Sequence, residues 1–289
     1  ARGYYFSYSW DLTLSKEKAS KNSPTDQRFC WNSYMMRDLV KFKINNRWLI
    51  PLIQVAIIFH FKPQKIIEKR DILAILSVFG GQKAEFYLIT EDLASKQALA
   101  TTLEVFRVTA LRPEECNLLG IDDEGNVANF CESEQIIYYN GYCCSFVEVR
   151  GSVPVFFQQR GMTAQTKITR SFDLTNQAFL KHFDYLNQVY GKILNVNLMA
   201  KNKPGEQMIT ETYESHIKNN NLANVRYEYF DFHHACKGHK FFKVNPLVLK
   251  VQPLVENFGF YAEDCQKKTI LLTQRGIGLP SNCVVNDYE

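Results

Sequence analysis

The spacing of apolar residues changes along the chain, from the two-residue period of strands to the period of helices. In the first half, apolar and aromatic runs over residues 48–61, 72–79 and 85–90 predict strands. A further pair of strands is predicted around Asn140-Gly141, because this dipeptide favours a two-residue hairpin turn. The first half is therefore predicted to be rich in β-structure.

Two helices are predicted inside this β-rich half. Over residues 32–43, Tyr34, Met35 and Leu39 recur near helical spacing, which predicts an amphipathic helix with its apolar stripe in the core. Residues 91–109 contain the run Ala-Ser-Lys-Gln-Ala-Leu-Ala, most of whose members favour helix, so a helix is predicted there too.

The second half alternates helices with strands. Helices are predicted over 176–190, 206–219 and 241–258, and strands over 193–199 and 225–232. Because strand–helix–strand units place successive strands side by side in one direction, a partly parallel sheet is predicted. The polar run 162–169 is the predicted boundary between residues 1–161 and 162–289. The predicted fold class is mixed α/β (α+β), with a β-rich N-terminal subdomain followed by an α/β subdomain.

Composition and charge narrow the class of protein. Hydrophobic residues make up 46% of the 289 residues, enough for a sizeable core. The net charge of +4 comes from 34 basic and 30 acidic residues, a balance that disfavours nucleic acid and is compatible with an anionic membrane surface. Eight cysteines without a signal peptide are typical of reduced intracellular thiols. Because the sequence starts at Ala1 and enters an aromatic run at once, a fragment of a longer protein is expected.

Four ordered groups of residues resemble one family, and they span most of the chain. They are Gly3-Tyr-Tyr-Phe-Ser-Tyr8 with Asp11-Leu-Thr13, Arg28-Phe-Cys-Trp-Asn32, Gly125-Asn-Val-Ala-Asn-Phe130 with Arg150-Gly-Ser-Val-Pro-Val-Phe156, and Asp231-Phe-His233 with Cys236-Lys237. Together they resemble the Sac-domain phosphoinositide phosphatases, the family that includes the synaptojanin Sac domain. The resemblance implies that residues 1–161 are a partial Sac N-terminal subdomain and residues 162–289 an incomplete Sac catalytic subdomain.

The resemblance also implies a reaction. Sac phosphatases remove phosphate from inositol lipids through a cysteinyl-phosphate and use no cofactor, so a phosphoric monoester hydrolase is implied. Their site is a Cys-x5-Arg loop that opens into a helix. Loop N–H groups and the helix N-terminus hold the phosphate and lower the pKa of the cysteine, while the arginine clamps the phosphate oxygens.

Cys283 is the candidate nucleophile that the resemblance implies. Gln274, Gly276 and Asn282 precede it as in the family, but with one extra residue between Gln274 and Cys283. The position of the family's arginine, six residues after the cysteine, is occupied by Glu289, which would repel a phosphate. The sequence also ends there, without a following helix. We therefore expect no phosphatase activity from this polypeptide. The alternative function is a non-catalytic phosphoinositide-binding or scaffold protein, a pseudophosphatase.

Two other groups of residues allow more than one interpretation. Arg150 is a candidate binding residue that would line an anionic groove, whereas its neighbours Gly151 and Pro154 favour a structural role in which it pairs with a carboxylate. His233, His234, Cys236 and His239 are zinc-ligand types in a short stretch, but no second cluster completes a tetrahedral set, so no metal is predicted.

The expected partners follow from the same resemblance. They are phosphoinositide lipids and an anionic membrane surface, without nucleic acid, and the sequence does not identify a protein partner. The longest apolar run, residues 48–61, is too short for a membrane-spanning helix. The expected location is therefore the cytoplasm, peripheral to the cytosolic face of a membrane.

Overall fold

A computed structural model gives the architecture of the chain. It describes residues 3–45, 49–55, 57–61, 101–109, 120–139, 141–158, 166–238, 240–274 and 276–279. The strands predicted over 72–79 and 85–90 lie outside these residues.

The largest element of the fold is an antiparallel sheet of six described strands. Short two-stranded pairings, β1 (Gly3–Tyr5) with β2 (Ile53–Val55) and β7 (Phe157–Gln158) with β8 (Lys167–Ile168), accompany it. Its own strands are β3 (Ile57–Phe61), β4 (Thr101–Val108), β5 (Cys131–Tyr139), β6 (Tyr142–Arg150), β11 (Tyr261–Asp264) and β12 (Thr269–Leu272). They lie in the order β12-β11-β6-β5-β4-β3. The predicted hairpin is confirmed, since β5 and β6 pair over their full lengths with Tyr139 opposite Tyr142.

The helix predicted over residues 91–109 is wrong for its second part, because residues 101–108 form strand β4. The run Thr-Thr-Leu-Glu-Val-Phe-Arg-Val is rich in β-branched residues, which favour strands. Val105 and Arg107 are both buried, as expected for alternate residues on one face of a sheet. The strand that pairs with β4 in the sheet, β5, follows it only after an intervening segment of the sequence.

A second, parallel sheet of three described strands confirms the predicted α/β pattern. Strand β9 (Lys192–Asn197) lies in the centre, between β10 (Val225–Tyr229) and β13 (Gly276–Leu279). Both neighbours run parallel to β9, with Val225 opposite Ile193 and Gly276 opposite Lys192.

The structure describes six α-helices, two in the first half of the chain and four in the second. In chain order they are α1 (Lys16–Ser20), α2 (Ser33–Lys41), α3 (Phe172–Tyr190), α4 (Pro204–Asn220), α5 (Phe232–Ala235) and α6 (Asn245–Phe258). A 3-10 helix, Phe241–Val244, precedes α6. Helix α3 ends as predicted at Gly191, whose φ of 79° suits glycine and whose N–H donates to the carbonyl of Asn187. None of the described helices is both long and apolar enough to cross a bilayer.

Two clusters of buried apolar residues support the two sheets. The larger one joins the antiparallel sheet to α3, since it contains Ile136 and Val149 of the sheet and Phe179 of the helix. The smaller one packs α6 on the parallel sheet. The core position predicted for the apolar stripe of α2 is wrong, because Tyr34 is 74% and Met35 is 76% exposed. The helix is held instead at its start, where Asn32 bonds to the backbone of Ile50 and Leu52.

Candidate functional site

The carboxyl ends of the three parallel strands are the candidate functional edge of the fold. In open sheets of this kind, ligands bind outside the carboxyl ends of the strands. Here the strands end at Asn197, Tyr229 and Leu279. The segments that leave these ends are 198–203, 230–231 and the residues after 279, of which the first two are described.

Asp231 joins the loop after β9 to the loop after β10. One carboxylate oxygen accepts the backbone N–H of His234 at 2.8 Å, which caps helix α5. The other oxygen accepts the backbone N–H of Lys201 at 3.2 Å. Both carboxylate oxygens of Asp231, the first residue of the Asp-Phe-His group, therefore hold two loops together at this edge.

The loop after β9 is fixed by further hydrogen bonds. Tyr229 donates to the carbonyl of Met199 at 3.0 Å, and Asn197 accepts the N–H of the same Met199 at 3.0 Å. The N–H of Ala200 donates to Glu206 at 2.7 Å. Residues 197–200 are buried and fixed by these hydrogen bonds. They form a surface at the end of the central strand, here called the ledge.

Lys201 is the cation of this ledge. Its ammonium lies 4.0 Å from the centre of the Tyr229 ring and pairs with Glu214 at 2.9 Å. Burial raises the pKa of Tyr229 to about 12, and the Asp231 carboxylate adds to the shift, so this phenol stays protonated near neutral pH. Because Lys201 already has a carboxylate partner, a phosphate at this edge would compete with Glu214 for it.

The approach to strand β13 is fixed by Gln274. Its side-chain oxygen accepts the N–H of Val147 at 2.9 Å, and its side-chain nitrogen donates to the carbonyl of Val147 at 2.8 Å. Its backbone N–H donates to Glu17 at 3.2 Å. Gln274, two positions before β13, is thereby attached to strand β6 of the other sheet, so the chain enters β13 at the joint between the two sheets.

The two residues predicted for the site have different outcomes. Cys283 lies outside the described residues. Arg150 ends strand β6 directly opposite Cys131 and is half-buried. Burial raises the pKa of the Cys131 thiol, and the Arg150 guanidinium beside it acts in the opposite direction. Within the described part of the chain, no carboxylate pairs with Arg150, and its binding role stays a prediction.

The stretch considered for zinc separates into exposed and buried residues. His233 and His234 are exposed, whereas the Cys236 side chain is buried in the smaller core cluster. Over the described ranges, no three His, Cys, Asp or Glu side chains are grouped as metal ligands. His239 lies outside those ranges.

Sequence reasoning missed a buried ionic network centred on Arg107. This guanidinium is fully buried and donates to the carbonyls of Leu12 and Leu14 at 2.7 and 2.8 Å. It also donates to Glu134 at 2.7 Å and to Glu132 at 3.3 Å. The one signal in the sequence is the period of two in Glu132 and Glu134, which places both carboxylates on one face of β5, opposite β4.

The network continues to helix α3 and to the Arg-Phe-Cys-Trp-Asn group. Tyr190 donates to Glu132 at 2.7 Å and accepts from Arg28 at 3.0 Å. Arg28 in turn makes a bidentate pair with Asp26, at 2.8 and 2.5 Å. Burial alone would lower the pKa of Arg107, but the Glu134 and Glu132 carboxylates outweigh it and raise the pKa. Two of the residue groups that resemble the family, those containing Leu12 and Arg28, thus take part in a structural ionic network.

The Gly-Asn-Val-Ala-Asn-Phe group also has a structural role. Gly125 has a φ of 90°, and its carbonyl lies 2.9 Å from Nδ1 of His182 on α3. Nδ1 must carry the proton, because the partner is a carbonyl. A Cβ on Gly125 would lie 2.8 Å from the backbone nitrogen of His182, so only glycine allows this close packing.

The fold is mixed α/β, with an antiparallel sheet and a parallel sheet whose carboxyl edge is the candidate functional site. Residues 1–237 match the model of the SacI homology domain, and the chain belongs to this family. Synaptojanin-1 of Homo sapiens is 30% identical over 287 residues, which are 92% of this chain and 16% of the relative. Phosphatidylinositol-3-phosphatase SAC1-B of Danio rerio is 27% identical over 296 residues, 98% of this chain and 44% of the relative. Polyphosphatidylinositol phosphatase INP53 of Saccharomyces cerevisiae is 27% identical over 293 residues, 97% of this chain and 25% of the relative. The chain thus spans less than half the length of each of these relatives.

Proposed function

We propose that this chain recognises phosphoinositide lipids as a member of the Sac phosphatase family, and that it does not turn them over. The lipid class is supported by relatives that are named as phosphatases of phosphatidylinositol phosphates. The loss of turnover is supported by one observation on the residues, the occurrence of Glu289 where a Cys-x5-Arg loop needs its arginine.

The position of strand β13 supports a phosphate site at the carboxyl edge. A cysteine-phosphatase loop follows a parallel strand, so that a ligand lies beyond the end of the sheet. Cys283 comes four residues after Leu279, the last residue of β13. A fully extended chain of that length spans at most about 14 Å. This short separation along the sequence supports a phosphate site at the same edge as the ledge formed by residues 197–200.

The chemistry explains why the glutamate matters. In the family's reaction a thiolate attacks phosphorus, the inositol oxygen leaves and takes up a proton, and water then hydrolyses the cysteinyl-phosphate. Each step concentrates negative charge on the phosphate oxygens, which a guanidinium stabilises. A carboxylate at position 289 would repel that charge. Loss of one such stabilising donor typically reduces the rate by about 10²–10³.

The remaining parts of the proposal concern the surroundings of the site. The chain would act as a peripheral protein at the cytosolic face of a membrane, on an anionic lipid surface and without a cofactor. Glu289 supports the absence of turnover. A phosphoinositide-binding pseudophosphatase or scaffold is accordingly the form of the family's function that we propose for this polypeptide.

A phosphate-release assay tests the catalytic part. The full chain and its Cys283→Ser variant are incubated with a short-chain phosphatidylinositol monophosphate, and both are expected to release phosphate at the background rate. Steady release by the unmodified chain that disappears in Cys283→Ser would overturn the proposal.

A vesicle assay tests the recognition part. Vesicles that contain phosphatidylinositol monophosphate are compared with phosphatidylserine vesicles of equal surface charge. Tighter binding to the phosphoinositide is expected. Equal binding to both kinds of vesicle would refute recognition of the inositol phosphate.

A further inference from the structure

Residues 236–244 form a surface segment, here called the basic–aromatic segment, that combines lysines with exposed aromatic rings. Between residues 232 and 255 the sequence has four lysines and neither aspartate nor glutamate. Three of these lysines, Lys237, Lys240 and Lys243, belong to the segment and are exposed. Positive charge therefore accumulates here, although the whole chain is nearly balanced.

The segment is attached to the core at both ends. Cys236 and Val244 are only 6% and 3% exposed and belong to the smaller core cluster. Between them, the N–H of Lys240 donates to the carbonyl of Cys236 at 3.2 Å, and the N–H of Lys243 donates to that of Lys240 at 3.0 Å. A compact turn thus presents the intervening side chains on a fixed base.

The aromatic residues of the segment are open to solvent. Phe242 is 67% exposed and Phe241 is 41% exposed, while Phe241 also stacks on Phe232 at 6.3 Å. The next helix adds Leu249, which is 69% exposed. Apolar rings between lysines suit the boundary of a lipid bilayer, where rings enter the head-group layer and ammonium groups stay outside.

The lysines of the segment differ from others near the same edge. Lys201, Lys203 and Lys250 each pair with a glutamate. By contrast, no ion pair joins Lys237, Lys240 or Lys243 to a carboxylate in the part of the chain that the structure describes. Their charge is consequently available to an external anion.

The segment also has a suitable location. It follows strand β10 and the Asp231 cap, and therefore begins at the carboxyl edge of the parallel sheet. Strand β13 runs parallel to β9 and ends at the same edge. A membrane against the segment would thus lie on the side of the candidate phosphate site.

We propose that the basic–aromatic segment is the surface through which this chain contacts an anionic membrane. Phe242 enters the head-group layer, and Lys240 and Lys243 face the anionic lipids. The inference deepens the proposed function, on which it rests for the expectation of a lipid partner. The inference names the surface of the chain that contacts the membrane. Such contact requires negative charge on the membrane surface but no inositol phosphate.

Sedimentation with vesicles tests the proposed membrane-contact surface. The vesicles contain phosphatidylcholine and about 30% phosphatidylserine, as an anionic leaflet does, and no phosphoinositide. The Lys240→Glu/Lys243→Glu variant is compared with Lys192→Glu/Lys218→Glu, which has the same net charge. Lys192 starts β9 and Lys218 lies in the last turn of α4, so both control residues lie toward the amino ends of the strands. One basic residue near such a surface strengthens binding about fivefold, so the first variant is expected to bind about 25-fold more weakly or worse. The control is expected to bind within about threefold of the unmodified chain, because its charges lie away from the bilayer.

A second pair of variants tests insertion of the ring. Phe242→Ser is expected to weaken vesicle binding about tenfold, whereas Phe42→Ser, which alters the 76% exposed Phe42 beyond α2, is expected to leave it unchanged.

Equal losses in test and control variants, or no binding of the unmodified chain to these vesicles, would overturn the inference. Tighter binding to a single-stranded RNA than to the vesicles, lost in Lys240→Glu/Lys243→Glu, would overturn it in favour of a nucleic-acid surface. Binding to phosphatidylserine without preference for phosphoinositide would support this inference while refuting the proposed lipid recognition.

Discussion

The side-chain amide of Gln274 forms both backbone hydrogen bonds of Val147. Strand β11 pairs with β6 only as far as Ser145, so the edge of β6 beyond that point has no neighbouring strand among the described residues. The amide of Gln274 takes the place of a strand there, with one acceptor and one donor at 2.9 and 2.8 Å. In this way the chain passes from the antiparallel sheet into β13 of the parallel sheet at a defined position.

Replacement of Gln274 by alanine is expected to destabilise the chain by about 1–3 kcal/mol. The change leaves the N–H and carbonyl of the buried Val147 without partners, which costs their desolvation. Urea unfolding measures the effect. Gln252→Ala is the control, because the Gln252 side chain bonds to Glu256 on the exposed side of α6 and its loss is expected to cost less than about 0.5 kcal/mol. Equal midpoints for the two variants would contradict the bridging role.

Replacement of Arg107 by methionine is expected to cost about 3–5 kcal/mol. Glu134 would lose its buried cation, and Glu132 would keep the longer contact with Arg28 at 3.8 Å. Arg226→Met is the matched control, because Arg226 pairs with Glu228 but is 65% exposed, and its loss is expected to cost about 1 kcal/mol or less. Chemical denaturation compares the two variants. Adding Glu134→Gln to Arg107→Met should restore part of the stability by removing one uncompensated charge. A loss for Arg107→Met no larger than for Arg226→Met would show that the network contributes little.

The stability of the chain is expected to fall with acidity through His182. Burial lowers the pKa of this imidazole to about 4, whereas an unfolded histidine titrates near 6.5. Below about pH 6.5 the unfolded state therefore binds a proton that the folded state does not, and stability declines until about pH 4. Between pH 8 and pH 5 the loss from this group is about 2 kcal/mol.

The variant His182→Asn separates this effect from that of the carboxylates. Asparagine can still donate to the carbonyl of Gly125 but does not titrate. The free energies of unfolding at pH 8 and pH 5, measured by urea titration, should then differ by about 2 kcal/mol less than in the unmodified chain. The same pH dependence in both proteins would exclude His182 as the source.

Gly125 and Gly238 offer a matched test of close packing. Both have a positive φ, of 90° and 73°, but a Cβ at Gly125 would meet His182 and Lys181 within 3 Å, whereas a Cβ at Gly238 has nothing within 4 Å. Gly238→Ala is expected to cost about 1–2 kcal/mol for the backbone alone. Gly125→Ala is expected to cost a further 1–3 kcal/mol or so from overpacking, measured by thermal or urea unfolding. Similar losses at the two positions would contradict close packing of the turn on α3.

Local patterns made several elements of this fold predictable. The β5–β6 hairpin is encoded by Asn140-Gly141 between apolar runs, and α3 by its apolar stripe and Gly191. The parallel sheet follows from the alternation of strands and helices in the second half. Each of these signals depends on residues that are close together in the sequence.

The failures arose where distant residues decide the outcome. Residues 101–108 form a strand because β5 provides hydrogen bonds and a pair of carboxylates for Arg107, which outweigh the helical character of the preceding run. The apolar stripe of α2 is exposed because an amphipathic pattern specifies one face but not which element will cover it. The domain boundary at residue 161 stays a prediction, although β11 and β12 from the second half complete the first sheet.

The sequence by itself determined the family, the mixed α/β class, most of the helices and strands, and the glutamate six residues after Cys283. Only the tertiary structure decided that Arg107 is neutralised inside the core, that Gln274 links the two sheets, and that Phe242 and its neighbouring lysines face outward. The reason is physical. Helical and strand periods are carried by neighbouring residues, whereas burial, ion pairing and exposure depend on which distant segments pack together.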